Sequence, residues 1–325
     1  MTEATGALMT EPEYHLSFFD RVSAWAAWGL AGTIFLTVGW SAMAPDDPLG
    51  AISVLTRGGA WMMLLQAAGL ATVTAAVAMV LAGRRLPEAG TFAAAVGLAA
   101  VSLRGGTAGS LLIQWSGAAS DSGGNLPIRL AVEAMGWFAI VLVARVLSIG
   151  VGHWCFGGES GYVHEPRATG GAEPPRETPT LSGRVATVAQ GIKHIILAGG
   201  AALVVFKVLT AGLSTRSVQH GQACFVVAAS VCIALYFAYW FVPVRSAVWS
   251  ILSVPLLAVG GYVWASLGAA PDGLPSSVPS SPYLRVLPIQ YIAVGTGAAV
   301  AMFWYFHHPA RYGPDPGHAA PEGSG

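Results

Sequence analysis

Two ionisable residues of opposite sign stand inside apolar stretches of this 325-residue chain. Arg104 interrupts residues 89–120, and Glu133 interrupts residues 130–151. A carboxyl group can bind or release a proton or a cation, and a guanidinium group is a strong partner for a carboxylate. A charge left unpaired in lipid is costly, so each residue needs a partner or a water-filled cavity. These two residues are therefore the first candidates for a polar site.

Helix geometry brings the two charges to one depth in a membrane. A helix that enters from the outer face near Pro127 carries Glu133 about 9 Å below that face. A preceding antiparallel helix that enters from the inner face near Thr91 carries Arg104 to about 10 Å from the outer face. We therefore predict that Arg104 and Glu133 form an ion pair. The pair either lines a path for a proton or cation or serves as a structural salt bridge between two helices.

Two of the apolar stretches contain residues that loosen a helix. The first contains Gly105 and Gly106, and a later one contains Pro255, Gly260 and Gly261. Proline and glycine pairs weaken the ladder of hydrogen bonds within a helix. Interrupted helices at matching positions of two repeats indicate a binding site near the middle of the membrane. The alternative is that the glycines allow a neighbouring helix to pass closely.

Membrane-spanning helices must position these residues. Charged residues make up 10% of the chain and hydrophobic residues 54%, whereas a soluble domain carries about a quarter charged residues. Eight apolar stretches reach the roughly 20 residues needed to cross the hydrocarbon core, where a lone strand could not pair its backbone. We therefore predict an all-α integral membrane protein with eight transmembrane helices. The stretches are residues 22–45, 58–83, 89–120, 130–151, 194–215, 217–244, 246–271 and 286–310.

Short motifs recur in the second half of the chain. The dipeptide Thr-Arg at residues 56–57 returns at residues 215–216, and Leu-Pro-Ile at residues 126–128 returns at residues 287–289. A near-constant offset of about 160 residues indicates a duplicated unit. Because each unit contains four spans, both copies insert in the same orientation. The predicted units are two parallel four-helix repeats, residues 21–156 and 184–309.

The segments outside these repeats are short and polar. Residues 1–20 form a predicted cytoplasmic N-terminal segment, residues 157–183 a flexible cytoplasmic linker, and residues 310–325 a disordered tail. None reaches the roughly 50 residues of a small folded domain, so we expect no soluble enzymatic domain. Basic residues are denser in the loops on the side of both termini, which predicts cytoplasmic termini in a cell membrane or inner membrane.

Histidines provide a weaker indication of redox chemistry. His153, His194, His307 and His308 fall near the predicted inner ends of spans, whereas His220 stands alone on the outer side. A haem held between helices needs two imidazoles that face each other. Histidines at a membrane border are more commonly amphipathic interface residues. We therefore expect no cofactor.

Three classes of function remain. The duplication, the interrupted helices and Glu133 favour a permease or channel for a small solute or ion. The scarcity of charge elsewhere in the spans favours a non-transporting structural, assembly or sensory membrane subunit, and the edge histidines alone would support an intramembrane haem or redox protein. Arg129, Arg145 and Lys207 lie near span ends, where their side chains can extend to the headgroups.

The composition also restricts the partners. Zero net charge without a basic run argues against nucleic acid. The expected partners are therefore the lipid bilayer, a small solute or ion, and other membrane proteins or further copies of this chain.

Overall fold

The chain folds into helices in the part that the structure describes. The computed structural model describes residues 18–47, 49–56, 59–83, 86, 88–118, 125–156, 181–211, 218–267 and 281–307. The predicted tail, and most of the predicted linker and N-terminal segment, lie outside these ranges. Residues 181–183, which were predicted as the end of the linker, are helical. The helices are α1 (Phe18–Ile34), which continues through a π-helical turn (Phe35–Gly39) into α2 (Trp40–Met43), then α3 (Ala60–Ala82), α4 (Ala89–Ser102), α5 (Ala108–Ala118), α6 (Leu126–Phe156), α7 (Leu181–Ala211), α8 (His220–Phe241), α9 (Ala247–Leu267) and α10 (Pro288–His307).

Seven of the described helices are long and apolar enough to cross a membrane. They are the first helix with its continuation, α3, α6, α7, α8, α9 and α10. Large apolar side chains such as Trp61, Phe225 and Leu267 are exposed on their surfaces, as is typical of helices that face lipid. The chain is therefore an all-helical, multi-pass membrane protein.

The predicted third span, residues 89–120, is not one helix. It divides into α4, which is about 21 Å long by helical rise, and the shorter α5. The cause lies at Gly106, whose N–H donates to the carbonyl oxygen of Gly50 at 2.7 Å instead of closing a helical turn. The predicted interruption at Gly105 and Gly106 is therefore present, whereas the prediction that the helix continues through Arg104 toward the outer face is wrong. We call residues 103–107 the break.

The chain before α3 returns to the bundle in a non-helical form. We call residues 49–56 the returning segment, and it forms an isolated parallel bridge between Ala51 and Gly106. Ala51, Ile52 and Ser53 are each at most 2% exposed. Non-helical backbone from two parts of the sequence is therefore packed together inside the protein.

Aromatic contacts mark one end of the bundle. Trp28, in α1, stacks on Trp304 near the end of α10, with ring centroids 5.6 Å apart. Tyr239, near the end of α8, stacks on Phe306 at 4.5 Å. We call this end of the bundle the terminal side. The opposite end, where α8 begins and α9 ends, is the far side.

Two groups of helices meet along a seam. In the first group α3 packs on α6 and α4, and α1 packs on α3 and α4. In the second group α7 and α10 each pack on α8 and α9. Across the seam α4 packs on α10, and α6 packs on both α9 and α10. Trp137, Tyr262 and Tyr291 from the seam helices are fully buried, so the two groups share one hydrophobic core.

The predicted interruption of the seventh span is also wrong. Helix α9 runs through Pro255, Gly260 and Gly261 without a break. A Cβ atom on Gly261 would lie 2.7 Å from Cδ1 of Tyr283, and one on Gly260 would lie 3.0 Å from Cδ1 of Leu203. The two glycines therefore serve the close approach of neighbouring side chains, which was the alternative interpretation.

Gly106→Ala should destabilise the protein because the break has no room for a methyl group. A Cβ atom there would overlap the carbonyl oxygen of Leu49 and would lie 2.8 Å from the carbonyl carbon of Gly50. Displacing this backbone should lower the free energy of unfolding by about 1–3 kcal/mol. Gly109→Ala is the matched control, since its nearest neighbour, Oγ1 of Thr107, would be 3.4 Å away.

Unfolding of the solubilised protein in increasing dodecyl sulfate, followed by circular dichroism, measures both changes. Helix propensity favours alanine at the control position, so Gly109→Ala should be neutral or slightly stabilising. Equal stabilities of the two variants would contradict the packing of the break against the returning segment.

Candidate functional site

A buried carboxyl group stands where the returning segment meets α6. Glu133 is 5% exposed and lies about 10 Å along α6 from its first residue. Its Oε2 accepts a hydrogen bond from the Ser53 hydroxyl at 2.6 Å. Its Oε1 accepts two more, from the N–H of Val54 and the indole N–H of Trp137, each at 3.1 Å. Both oxygens are therefore engaged with donors.

Helix and turn geometry place these donors. Trp137 follows Glu133 by four residues, so the two side chains lie on the same face of α6. The Ser53 hydroxyl oxygen also accepts the N–H of Leu55 at 3.2 Å. This second bond orients the hydroxyl hydrogen of Ser53 toward Glu133. The returning segment thus caps the carboxyl group from the side opposite α6.

The electrostatic environment of Glu133 lacks a counter-ion. No lysine, arginine or histidine among the described residues lies within 4.0 Å of its carboxyl oxygens. Helix α6, which carries Glu133, packs on α9 and α10 across the seam. An acidic side chain at this depth in a membrane helix is a candidate for binding a proton or a cation.

The predicted ion pair between Arg104 and Glu133 is wrong. The exposed Arg104 side chain donates from Nη1 to the carbonyl oxygen of Leu36 at 2.5 Å. Its guanidinium carbon also lies 4.8 Å from the ring centre of Trp40. The predicted depth of Arg104 requires a helix that continues through this residue. Because α4 ends at Ser102, the break directs Arg104 toward the first helix and its π-helical turn.

His220 connects the break to the second group of helices through hydrogen bonds. His220, the first residue of α8, has Nε2 at 2.9 Å from the carbonyl oxygen of Gly105 and Nδ1 at 2.9 Å from the side-chain nitrogen of Gln290. The carbonyl needs a proton on Nε2, and the amide N–H needs an unprotonated Nδ1, so these contacts select one neutral tautomer. Gln290 holds this orientation because its Oε1 accepts the N–H of Leu287 at 3.2 Å.

The contact between His220 and Gln290 should couple their contributions to stability. We expect His220→Ala and Gln290→Ala each to destabilise the fold, and the double variant to lose about 1 kcal/mol less than the sum of the two. His153→Ala is the control, because His153 is exposed at the end of α6. Dodecyl sulfate unfolding of the four proteins measures the coupling. A stability loss in the double variant equal to the sum of the two single losses would contradict the contact between His220 and Gln290.

Two of the other predicted site residues lie close to Glu133, and the rest lie apart. Gly105 and Gly106 are in the break, which is bridged to the segment that holds the carboxyl group. The Glu133 partner Ser53 and the contacts of His220 were not predicted, because a serine in a loop and a histidine at a span end carry no distinctive spacing. The predicted residues that lie apart are Arg104, Pro255, Gly260 and Gly261.

The glycines of α9 belong to a separate aromatic cluster. Tyr283, whose ring packs on Gly261, donates its hydroxyl to the carbonyl oxygen of Leu203 at 3.0 Å. Burial raises the pKa of the Tyr283 phenol above its ordinary value, so the hydroxyl remains a donor at neutral pH. Its ring also stacks on Phe206 at 5.2 Å. These contacts anchor the turn before α10 to α7.

A second buried carboxylate, that of Glu88, lies at the terminal side and was not among the predicted site residues. Arg145 donates from Nη2 to Oε1 of Glu88 at 2.7 Å and from Nε to Oε2 at 3.2 Å. The Thr91 hydroxyl donates to the same Oε2 at 2.8 Å. The Glu88 side chain is 0% exposed and that of Arg145 12%. The expectation that Arg145 extends to the headgroups is therefore wrong, because a buried carboxylate is its partner.

The histidines near the terminal side bind protein groups. His194 is fully buried, with Nδ1 at 2.8 Å from a backbone carbonyl in the α8–α9 turn and Nε2 at 3.3 Å from the Ser250 hydroxyl. His307 faces a carbonyl one turn earlier at 3.0 Å, whereas His153 is exposed. His308 lies outside the described residues. A structural interpretation explains the contacts of His194 and His307.

Two cations at the far side lie over aromatic rings. The guanidinium of Arg129 is 5.1 Å from the ring centre of Trp115, and the amine of Lys207 is 5.5 Å from that of Trp264. Both side chains are exposed at helix ends. The cation–π contacts orient these charges at the far side without bringing them to Glu133.

Glu133, the returning segment, the break and His220 together form the candidate functional site. Its members come from both groups of helices and meet at the seam, on the far-side half of the bundle. Within the described residues, no group of three histidine, cysteine, aspartate or glutamate side chains is placed to hold a metal ion. No protein-family model, curated protein or solved structure matches this chain.

Proposed function

We propose that this protein is a permease or channel for a small solute or ion, with its path along the seam beside Glu133. The observation that carries the proposal is a buried carboxyl group with no cationic partner among the described residues. Ionisable residues inside membrane helices are costly and typically belong to ion or proton pathways. Glu133 is the residue we assign to this role.

The irregular backbone beside Glu133 supports the same function. Non-helical backbone at membrane depth is tolerated where it is buried in protein or lines a cavity, and transporters use such segments to bind their substrates. The break and the returning segment are two such pieces in mutual contact through Ala51 and Gly106. We propose that these two pieces move relative to each other when the path opens.

We further propose that the chain crosses the membrane eight times as two parallel four-helix repeats, with α4 as the short third crossing. The contacts across the seam support this arrangement. A two-fold axis that relates α4 to α9 and α6 to α10 converts the α4–α10 contact into the α9–α6 contact, and both occur. The same axis maps the α6–α10 contact onto itself. The repeats would then flank a central path, as in parallel-repeat transporters.

Reconstitution into lipid vesicles tests transport. Vesicles loaded with a pH-sensitive dye report proton entry after a potassium diffusion potential is imposed, and labelled sodium and rubidium report cation uptake. We expect a protein-dependent flux of at least one of these ions above that of protein-free vesicles. Equal rates with and without protein, for all three ions and for a neutral solute such as glycerol, would contradict the proposal.

A non-transporting structural or assembly subunit is the second candidate. It is favoured by the saturation of both Glu133 oxygens by three donors, as expected for a helix-locking group. This alternative predicts no flux, and it predicts that Glu133 variants change only stability. The two candidates therefore separate in the vesicle measurement.

The proposed setting is a cell membrane or inner membrane with both termini in the cytoplasm. The lipid bilayer is the partner common to both candidate functions, and further copies of this chain or other membrane proteins are proposed partners of the exposed helix faces. The excess of basic residues in the loops on the terminal side supports this orientation. Terminal tags that react with impermeant reagents only after cell lysis would agree with cytoplasmic termini.

A further inference from the structure

We infer that Glu133 binds a proton rather than a metal cation, and that proton uptake releases the returning segment from α6. This inference rests on the proposed transport function and names its coupling ion. It follows from the kind of atoms that surround the carboxyl group and from the connections of the returning segment.

The atoms around Glu133 are hydrogen-bond donors, which do not act as ligands of a metal cation. Sodium, calcium and similar hard cations require a shell of about six or more oxygen ligands. The contacts of the carboxyl group are instead the N–H of Val54, the indole N–H of Trp137 and the hydroxyl hydrogen of Ser53. These groups direct the positive ends of their dipoles toward the carboxylate, where they would repel a second positive ion. A proton needs only one oxygen.

Protonation would weaken the hold of Glu133 on the returning segment. Hydrogen bonds to a carboxylate are about twice as strong as those to a neutral group, so the Val54 bond loses strength when the charge is neutralised. A proton on Oε2 would also face the Ser53 hydroxyl hydrogen at a bond length of 2.6 Å. The Ser53 hydroxyl hydrogen must then rotate away, and the protonated Oε2 can donate to the second lone pair of the Ser53 oxygen, whose first accepts the N–H of Leu55.

The returning segment transmits this change to the seam. Its Gly50 carbonyl accepts the N–H of Gly106 at 2.7 Å, and the adjacent Gly105 carbonyl lies 2.9 Å from Nε2 of His220. Hydrogen bonds therefore connect the Glu133 cap, through the break, with α8 and α10. A shift of the returning segment would alter this connection first.

The other titratable and charged groups near the site are already engaged. On α9, the Tyr262 hydroxyl donates to the carbonyl oxygen of Val286 at 2.7 Å. Arg104, in the break, is bound to the first helix, and His220, on α8, is bound to the break and α10. On α6 itself, the Arg129 guanidinium lies over the Trp115 ring. The sequences of α3, α4 and the adjoining half of α10 contain no charged residue. Asp47, just before the returning segment, accepts the N–H of Leu49 and the side-chain amide N–H of Gln114, each at 3.0 Å. Glu133 and Asp47 are therefore the carboxyl groups to distinguish in this region, and the Glu133→Gln variant distinguishes them.

Infrared difference spectroscopy of the full-length protein in lipid nanodiscs tests the inference. Acidification should produce the C=O band of a protonated carboxylic acid, and Glu133→Gln should remove that band. Ser53→Ala keeps the carboxyl group and removes one donor, so the band should remain and shift in frequency. Replacing choline by sodium or potassium at constant pH should leave the spectrum unchanged.

Amide hydrogen exchange supplies the second measurement. After correction for the intrinsic pH dependence, the peptide that contains residues 49–56 should exchange about tenfold faster in the acidic state, equivalent to the loss of about one hydrogen bond. Glu133→Gln should make its exchange independent of pH. A peptide from the middle of α3 serves as the internal control, and its corrected exchange should not change.

The outcomes separate this inference from the proposed function. A carboxylic band assigned to Glu133, together with the faster exchange, supports proton binding even if vesicles show no flux, and that combination would overturn only the transport proposal. A spectrum that responds to sodium or potassium but not to pH would overturn the inference. So would a spectrum that responds to neither, whatever flux is measured.

Discussion

Arg145→Met should lower the free energy of unfolding by about 3–5 kcal/mol, because it removes a cation that binds both oxygens of a buried carboxylate. Arg145 binds both oxygens of Glu88 at 2.7 and 3.2 Å, and the Glu88 side chain is 0% exposed. Methionine is close in length and remains compatible with the apolar surroundings, so the loss reports the charge rather than the volume. The Thr91 hydroxyl also donates to Oε2 of Glu88, and this hydrogen bond should remain in the variant.

Dodecyl sulfate unfolding of the variant and of two comparison proteins measures this effect. Lys207→Met, which removes an exposed cation at the far side, should change stability little. The double variant Glu88→Gln/Arg145→Met should recover part of the loss, because it no longer buries a charge. If Arg145→Met and Lys207→Met were equally stable, the Glu88–Arg145 pair would not exist as described.

Glu133→Leu should destabilise the protein by about 3 kcal/mol, since it removes the group that accepts hydrogen bonds from three donors. The donors are the Ser53 hydroxyl, the Val54 N–H and the Trp137 indole N–H. Glu133→Gln retains the shape and one carbonyl oxygen, and its amide group can donate to the Ser53 oxygen. We therefore expect the glutamine variant to lose only about 1 kcal/mol.

The same unfolding titration compares the two Glu133 variants. Exchange of the peptide containing residues 49–56 should also increase in Glu133→Leu while that of α8 remains unchanged. A leucine variant as stable as the glutamine variant would mean that the returning segment is not held by Glu133.

Much of the helical framework was predictable because burial in lipid requires long apolar helices. Seven stretches became long helices, of which α6 and α7 extend well beyond the predicted stretches. Glu133 was singled out because charge within such a stretch is rare. The third stretch is not one helix, because the position where α4 ends depends on a contact between the break and residues 49–56. The Gly106–Gly50 hydrogen bond joins parts of the chain that no local pattern connects.

The partners of the charges were not predictable for the same reason. Depth along ideal helices placed Arg104 beside Glu133, but the end of α4 at Ser102 altered the direction of the Arg104 side chain. Glu88 escaped notice because it precedes the first residue of α4 and looks like a loop residue. Only the packing of α4 on α6 brings it to Arg145.

A glycine pair in a predicted span is compatible with either a helix break or a close helix contact, and the packing determines which of the two forms. The pair Gly105 and Gly106 stands in a true break, whereas Gly260 and Gly261 lie within a continuous helix and accommodate Leu203 and Tyr283. Both arrangements use the small size of glycine. The difference depends on whether backbone or side chains approach it, which the sequence alone does not encode locally.

Proton flux through Glu133→Gln vesicles tests the central claim, that Glu133 carries the transported or coupling ion, most directly. In dye-loaded vesicles under an imposed potential, the wild-type protein should conduct protons, and the glutamine variant should reduce the rate about a hundredfold or more, as expected for loss of a proton-transfer group. Lys207→Gln, reconstituted at equal density, should retain the wild-type rate. A glutamine variant that folds normally and conducts as well as the wild-type protein would contradict the claim.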